Sequence, residues 1–195
     1  MSDLWFGGSF NPVHHAHLIC ARAVAERARF DRVILVPSAV SPHKTNDSAM
    51  ASAADRLQMC RLATANIAGF EVSDVELTLP TPSYTLQTIR ELKHRGHAPI
   101  HWLVGGDMAL FLPQWREPLA LIQETSFVVM ARPGWTIDWE RLPVEYRHLQ
   151  KNVVEAPQIE ISASEIRRRV AAGQGIDYLT PPAVCDYIRN RGLYR

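Results

Sequence analysis

Short apolar runs alternate along this chain with longer segments of helical spacing. Leu4-Trp5-Phe6 and Val33 to Val36 are too short for helices and have no polar face, the mark of strands buried on both sides. Ile100 to Val104, Ser126 to Met130 and a weaker Asn152 to Glu155 read the same way. Phe70 to Leu79 alternates enough to be extended, until Pro80 and Pro82 end it. Helical spacing runs through Leu18 to Ala28, Met50 to Ile67, Ser83 to Arg95, Pro113 to Gln123, Ser164 to Ala172 and Pro182 to Arg191. Ser83 is placed to cap its helix, and Gly96 stands just past the end. Pro37 to Ala49 and Arg132-Pro133-Gly134 are a loop and a turn, while Trp135 to Gln150 fits no pattern. The alternation predicts an α/β fold around a mostly parallel sheet, closed by a small C-terminal helical part.

In such a sheet, ligands lie beyond the carboxyl ends of the strands, near the point where strand order reverses. Gly7-Gly8, Pro37-Ser38, Gly105-Gly106-Asp107 and Arg132-Pro133-Gly134 each follow a predicted strand directly. The glycine-rich and polar segments are therefore expected along one edge.

Composition narrows the picture. With 195 residues, 47% of them hydrophobic, the chain can bury a sizeable core, and one domain over 1–195 is the expectation. A net charge of +1 gives no electrostatic case for nucleic acid or an anionic membrane. Cys20, Cys60 and Cys185 form no Cys-x-x-Cys pair, which argues against a zinc ribbon and for a reducing, cytoplasmic setting. No apolar run is long enough for a membrane span, and the N-terminus lacks the pattern of a signal peptide.

The richest stretch is Gly7-Gly8-Ser9-Phe10-Asn11-Pro12-Val13-His14-His15-Ala16-His17, between a predicted strand and a predicted helix. Glycines let a backbone approach a ligand closely. A helix start offers free N–H groups and a positive dipole end, which suit phosphate. His14 and His17 are three apart and so point the same way on a helical turn. A glycine turn with capping histidines would explain any one of these features; their crowding into eleven residues favours a polyphosphate site. His14, His17 and Cys20 suggest zinc, but residues six apart lie about 120° apart around a helix, so they do not converge. No P-loop, dinucleotide fingerprint or Gly-x-Ser-x-Gly elbow is present.

That stretch resembles the first motif of the nucleotidyltransferase superfamily, Gly-Gly-Thr/Ser-Phe-Asp/Asn-Pro-x-His-x-Gly/Ala-His. Ile161-Ser162-Ala163-Ser164-Glu165-Ile166-Arg167 resembles the second, Ile-Ser-Ser-Thr-x-Ile-Arg. In physical terms the second is a capping box, Ser162-x-x-Glu165, opening a helix. Pro42-His43-Lys44, Ser83-Tyr84-Thr85 and Leu112-Pro113-Gln114-Trp115 resemble one branch, the nicotinate-mononucleotide adenylyltransferases. Taken singly, a loop lysine, a capping serine and a half-buried tryptophan would be ordinary structural residues.

The resemblance implies a Rossmann-like, doubly wound fold and transfer of the adenylyl group of ATP to nicotinate mononucleotide, giving deamido-NAD and pyrophosphate. It implies an ATP site of Gly7, Gly8, Ser9, Phe10, His14, His17, Asp107, Ile161, Ser162 and Arg167. It implies a mononucleotide site of His43, Lys44, Tyr84, Thr85, Trp115 and Arg132, with His14, His17, Lys44 and Arg167 stabilising charge. Mg²⁺ is expected with ATP, held mainly by phosphates and water, with no protein metal cluster. The oligomeric state is open, a homodimer being one option. Two alternatives remain at this stage: the same chemistry on another acceptor (nicotinamide mononucleotide, phosphopantetheine or a polyol phosphate), and a nucleotide-binding module without turnover. Around Tyr84, Thr85 and Trp115 the sequence places donors and no adjacent acid, which favours a carboxylate over a carboxamide on the pyridine ring.

Overall fold

The computed structural model describes residues 2–40, 50–134 and 137–195. Six strands form one sheet: β1 (Asp3–Gly8), β2 (Arg32–Pro37), β3 (Phe70–Val72), β4 (His101–Gly105), β5 (Ser126–Ala131) and β6 (Val153–Glu155). They lie in the order β3-β2-β1-β4-β5-β6, and every pairing is parallel. The chain thus works outward from β1 to β3, then crosses back to set β4 on the other side of β1. Strand order reverses between β1 and β4.

Parallel strands buried on both faces alternate their side chains between two cores. Leu4, Phe6, Val33, Leu35, Leu103 and Val128 point into one, covered by α1 (His15–Arg27), α2 (Ala53–Thr64), α6 (Ala163–Ala171) and α7 (Pro182–Arg191). Trp5, Ile34, Val36, Trp102, Val104, Phe127 and Val129 point into the other. That side is covered by α3 (Thr85–His94), α5 (Pro118–Glu124) and the segment from Trp139 to Leu149, with the single turn α4 (Gly106–Ala109) at the end of β4. No helix among the described residues is long and apolar enough to cross a membrane.

Four local readings are corrected. β3 stops at Val72, and a 3-10 turn, Val75–Thr78, takes over where an extended run was expected. The helix expected over Pro113 to Gln123 is broken: Leu112–Gln114 is a 3-10 turn, and α5 starts only at Pro118. Glu117 between them has φ +50°, a left-handed conformation that no helix continues through. The unassigned region contains 3-10 turns at Trp139–Arg141 and Val144–Asn152, whose Trp139, Tyr146 and Leu149 are buried. Finally, Tyr84 rather than Ser83 is the cap of α3. The Ser83 hydroxyl instead accepts hydrogen bonds from Ala39 N–H (3.1 Å) and Val40 N–H (3.3 Å), tying the start of α3 to the loop after β2.

Candidate active site

Two cavities open at the carboxyl edge of the sheet, one on each side of the point where strand order reverses. The larger, about 890 Å³, is lined by Gly7, Gly8, Ser9, Tyr84, Thr85 and Trp115. The other, about 500 Å³, is lined by His14, His17, Asp107, Arg132 and Ile161. Phe6 at the end of β1 and Gly105 at the end of β4 line both. The first motif therefore forms the ridge between them: its glycines and Ser9 face one cavity, its histidines the other.

The ridge is held from below. Gly8 O accepts from Ser38 N–H at 2.9 Å. Phe10, fully buried with φ +44°, turns its ring edge-on to Phe6 and His17. Asn11 Oδ1 accepts from Ala51 N–H (3.0 Å) and from the Tyr194 hydroxyl (2.7 Å), fastening the turn to the start of α2 and to the C-terminus. Gly7 is needed for packing as well as for approach: a Cβ there would lie 2.4 Å from Trp102 Cζ2.

His14 caps α1 with an extended backbone, and His17 stands one turn on. Their rings stack with centroids 3.6 Å apart, and His14 N–H donates to His17 Nδ1 at 3.3 Å. His14 is 5% exposed, and its Nδ1 is buried without a hydrogen-bond partner among the described residues. Burial lowers its pKa to about 4, with His15 adding to the effect. Burial thus favours the neutral imidazole, which offers a hydrogen bond to an oxyanion.

Ser162 caps α6 as its sequence predicts, accepting from Glu165 N–H at 3.2 Å. The reciprocal half of the capping box is absent, because the Glu165 carboxylate pairs with Arg168 at 2.7 and 2.8 Å. Arg167 reaches back to the first motif and donates to Asn11 O at 2.9 Å, so the two motifs are in direct contact. Neither Ser162 nor Arg167 lines the two cavities. Arg169, two positions on, donates to Gly175 O instead.

Arg132 lies with His14 and His17, not with Tyr84 and Trp115 as grouped in the sequence. It follows β5, beyond β4 from β1, and so belongs to the smaller cavity. His43 and Lys44 lie outside the described residues.

Three residues escaped the sequence reading. Arg116 sits over the Tyr84 ring at 4.6 Å and lines the larger cavity, adding positive potential there. Its neighbour Trp115 was conspicuous enough to mask it. Arg56 is 1% exposed; its guanidinium donates to the carbonyls of Ala51 (3.1 Å), Ser9 (2.8 Å) and Ala39 (2.8 Å). It braces Ser9 of the ridge and both flanks of the segment 41–49. Helical phase could have found it, since Arg56 shares a face with the buried Met59, Cys60 and Ala63. Glu76, buried in the turn after β3, also lines the larger cavity, so that cavity is not surrounded by donors alone.

The cytidylyltransferase-like family model matches residues 5–169. The probable nicotinate-nucleotide adenylyltransferase of Roseiflexus castenholzii is 40% identical over 191 residues, covering 97% of this chain and 96% of that protein. Its counterpart from Neisseria meningitidis is 38% identical over 198 residues, with the same coverage of each. Among solved structures, the Plasmodium falciparum nicotinic acid mononucleotide adenylyltransferase complexed with NaAD superimposes with a TM-score of 0.73 at 18% identity, over 100% of this chain and 98% of that one. At that identity the likeness is one of fold.

Proposed function

The chain belongs to the nicotinate-nucleotide adenylyltransferases of the cytidylyltransferase-like family, and from that premise we propose that it transfers the adenylyl group of ATP to nicotinate mononucleotide, giving deamido-NAD and pyrophosphate. The observation that carries this reading is the pair of cavities meeting at the ends of β1 and β4. ATP occupies the cavity of His14, His17, Asp107, Arg132 and Ile161. The mononucleotide occupies that of Tyr84, Thr85 and Trp115, and the sequence resemblance adds His43 and Lys44 to its binding residues. Their phosphates meet over Gly8 and Ser9.

The reaction needs little proton chemistry. A phosphate monoester has a second pKa of about 6, so the attacking 5′-phosphate is largely dianionic near neutral pH. It attacks the α-phosphorus of ATP in line, and pyrophosphate leaves. No covalent enzyme intermediate forms. Catalysis is positioning plus stabilisation of charge developing on the transferred and leaving groups. His14 and His17 donate hydrogen bonds to phosphate oxygens, and the N-terminus of α1 adds its dipole. Arg167, bonded to Asn11, supplies positive charge beside the turn, and Lys44 is the second cationic residue assigned to the reaction. Asp107 accepts from a ribose hydroxyl.

Asp107 is also the one carboxylate among the described lining residues of the ATP cavity, and those residues hold no cluster of three metal-binding side chains. That donor set suits Mg²⁺ carried in on the polyphosphate, where it would neutralise phosphate charge. A cytoplasmic, reducing setting fits the three free, buried thiols.

Acceptor choice follows from the surroundings of the ring. The start of α3, the Thr85 hydroxyl and Arg116 are donors or positive. Toward these groups a carboxamide NH₂ finds no acceptor, at about 1–3 kcal/mol, Glu76 being the one acidic side chain among the described residues of the cavity. That is a preference for the acid of roughly tenfold to a hundredfold. Pyrophosphate release with ATP and, in turn, nicotinate mononucleotide, nicotinamide mononucleotide and phosphopantetheine tests the reading. Release fastest with the acid is expected. Equal or faster release with either of the others would sink it.

A further inference from the structure

Glu76 is the one acidic residue among the described residues that line the larger cavity, and it is 5% exposed. Its Oε1 accepts from the Thr88 hydroxyl at 2.8 Å, while Oε2 is buried without a hydrogen-bond partner among the described residues. The groups facing it are few. From α3 comes the Thr88 hydroxyl, from the residue before its cap the Ser83 hydroxyl, and from the loop after β2 the Ala39 N–H. From α2 comes the charge of Arg56, whose N–H groups are committed to three backbone carbonyls. Elsewhere in the cavity wall, Arg116 lies against Tyr84. Even with these contacts, a carboxylate this deeply buried, with Oε2 unpartnered among the described residues, is costly to keep ionised. Burial accordingly raises its pKa above the ordinary carboxylate range, against the opposing pull of Thr88, Ser83, Ala39 and Arg56.

We propose that Glu76 is a specificity-determining residue of the acceptor cavity: a pyridine carboxylate and the Glu76 carboxylate do not both stay ionised there, so the acid binds together with one proton held at Glu76. This rests on the larger cavity being the mononucleotide site. The proton comes from solvent, and no bond of the transfer reaction is involved. The carboxamide group is uncharged and leaves its pyridinium ring a cation, so that ligand draws no proton to Glu76. Like charges confined at low dielectric raise one another's proton affinity, which sets the sign: the acid loses its advantage as pH rises.

The test is the ratio of kcat/KM for nicotinate mononucleotide to that for nicotinamide mononucleotide, measured with the full chain across the neutral range. Both ligands carry the same 5′-phosphate, whose titration cancels in the ratio. In the native protein the ratio should fall with rising pH, by at most about tenfold per pH unit, the limit for one proton. In Glu76→Gln it should be flat, at the level the native protein reaches at low pH. Thr88→Val removes a hydrogen bond that favours the ionised form, and should move the fall to higher pH. It serves as the deciding variant if Glu76→Gln does not fold. A flat ratio in the native protein, a slope unchanged in Glu76→Gln, or a fall unmoved in Thr88→Val would overturn the proposal. If neither mononucleotide is adenylated, the functional reading itself fails; if both are and the ratio is flat, only the role of Glu76 fails.

Discussion

His14 and His17 stack face to face, 22° from parallel, and the amide of the first donates to Nδ1 of the second. The stack fixes both imidazoles over the same cavity before any ligand arrives. Such preorganisation is what makes a hydrogen-bond donor effective toward transition-state charge, since nothing need reorganise during the reaction.

His17→Ala removes one such donor. Turnover should fall by roughly 10² to 10³ while the fold survives. Steady-state kinetics alongside a thermal melt check this; near-native turnover would place His17 outside the chemistry.

His14 links the site to stability. Its pKa is lowered from 6.5 to about 4, chiefly by burial. Unfolded chains therefore bind a proton at His14 that the folded state refuses. The loss of stability begins as pH falls through about 6.5 and is complete near 4, at up to about 3 kcal/mol. Melting temperature should drop over that window, and His14→Gln should flatten the drop. An anionic ligand in the cavity should oppose it, since it favours the charged imidazole.

Gly7→Ala places a methyl group 2.4 Å from Trp102 Cζ2. Trp102 is buried in the second core and lines the larger cavity, so the ring has to move against packed neighbours. Overpacking of this kind costs about 1–3 kcal/mol. The expected signature is a lower melting temperature together with a raised KM for the mononucleotide and a smaller change for ATP. Equal changes in both KM values would mean that the glycine serves ligand approach alone.

Arg56→Met leaves three backbone carbonyls without their donor, each costing about 1–3 kcal/mol where water cannot replace it. Denaturant unfolding should show a loss of at least about 3 kcal/mol. Arg56→Lys should recover little of it, because one ammonium on a flexible stem does not reproduce a planar fork reaching three acceptors. Full recovery by Lys would mean that charge, not geometry, is what Arg56 contributes.

The strands were legible in the sequence because burial on both faces leaves an unbroken apolar run, as at Val33 to Val36 and Ile100 to Val104. The helix start at Ser162 was legible because capping chemistry is local, and so were the two motifs, whereas α1 begins at His15, three residues before the Leu18 that spacing indicated. The exceptions were elements decided by distant contacts. Ser83 has the chemistry of a cap, yet its hydroxyl is taken by Ala39 and Val40, more than forty positions away in the chain. Sheet order was likewise a property of the whole fold: placing β4 beside β1 is what sets two cavities side by side, and it carries Arg132 away from Trp115 to the histidines. Arg56, Arg116 and Glu76 carry side chains whose ordinary place is the surface. Only the packed structure shows one buried under the ridge, one laid on a tyrosine and one enclosed in a cavity wall, because burial is a relation between segments and not a property of any one of them.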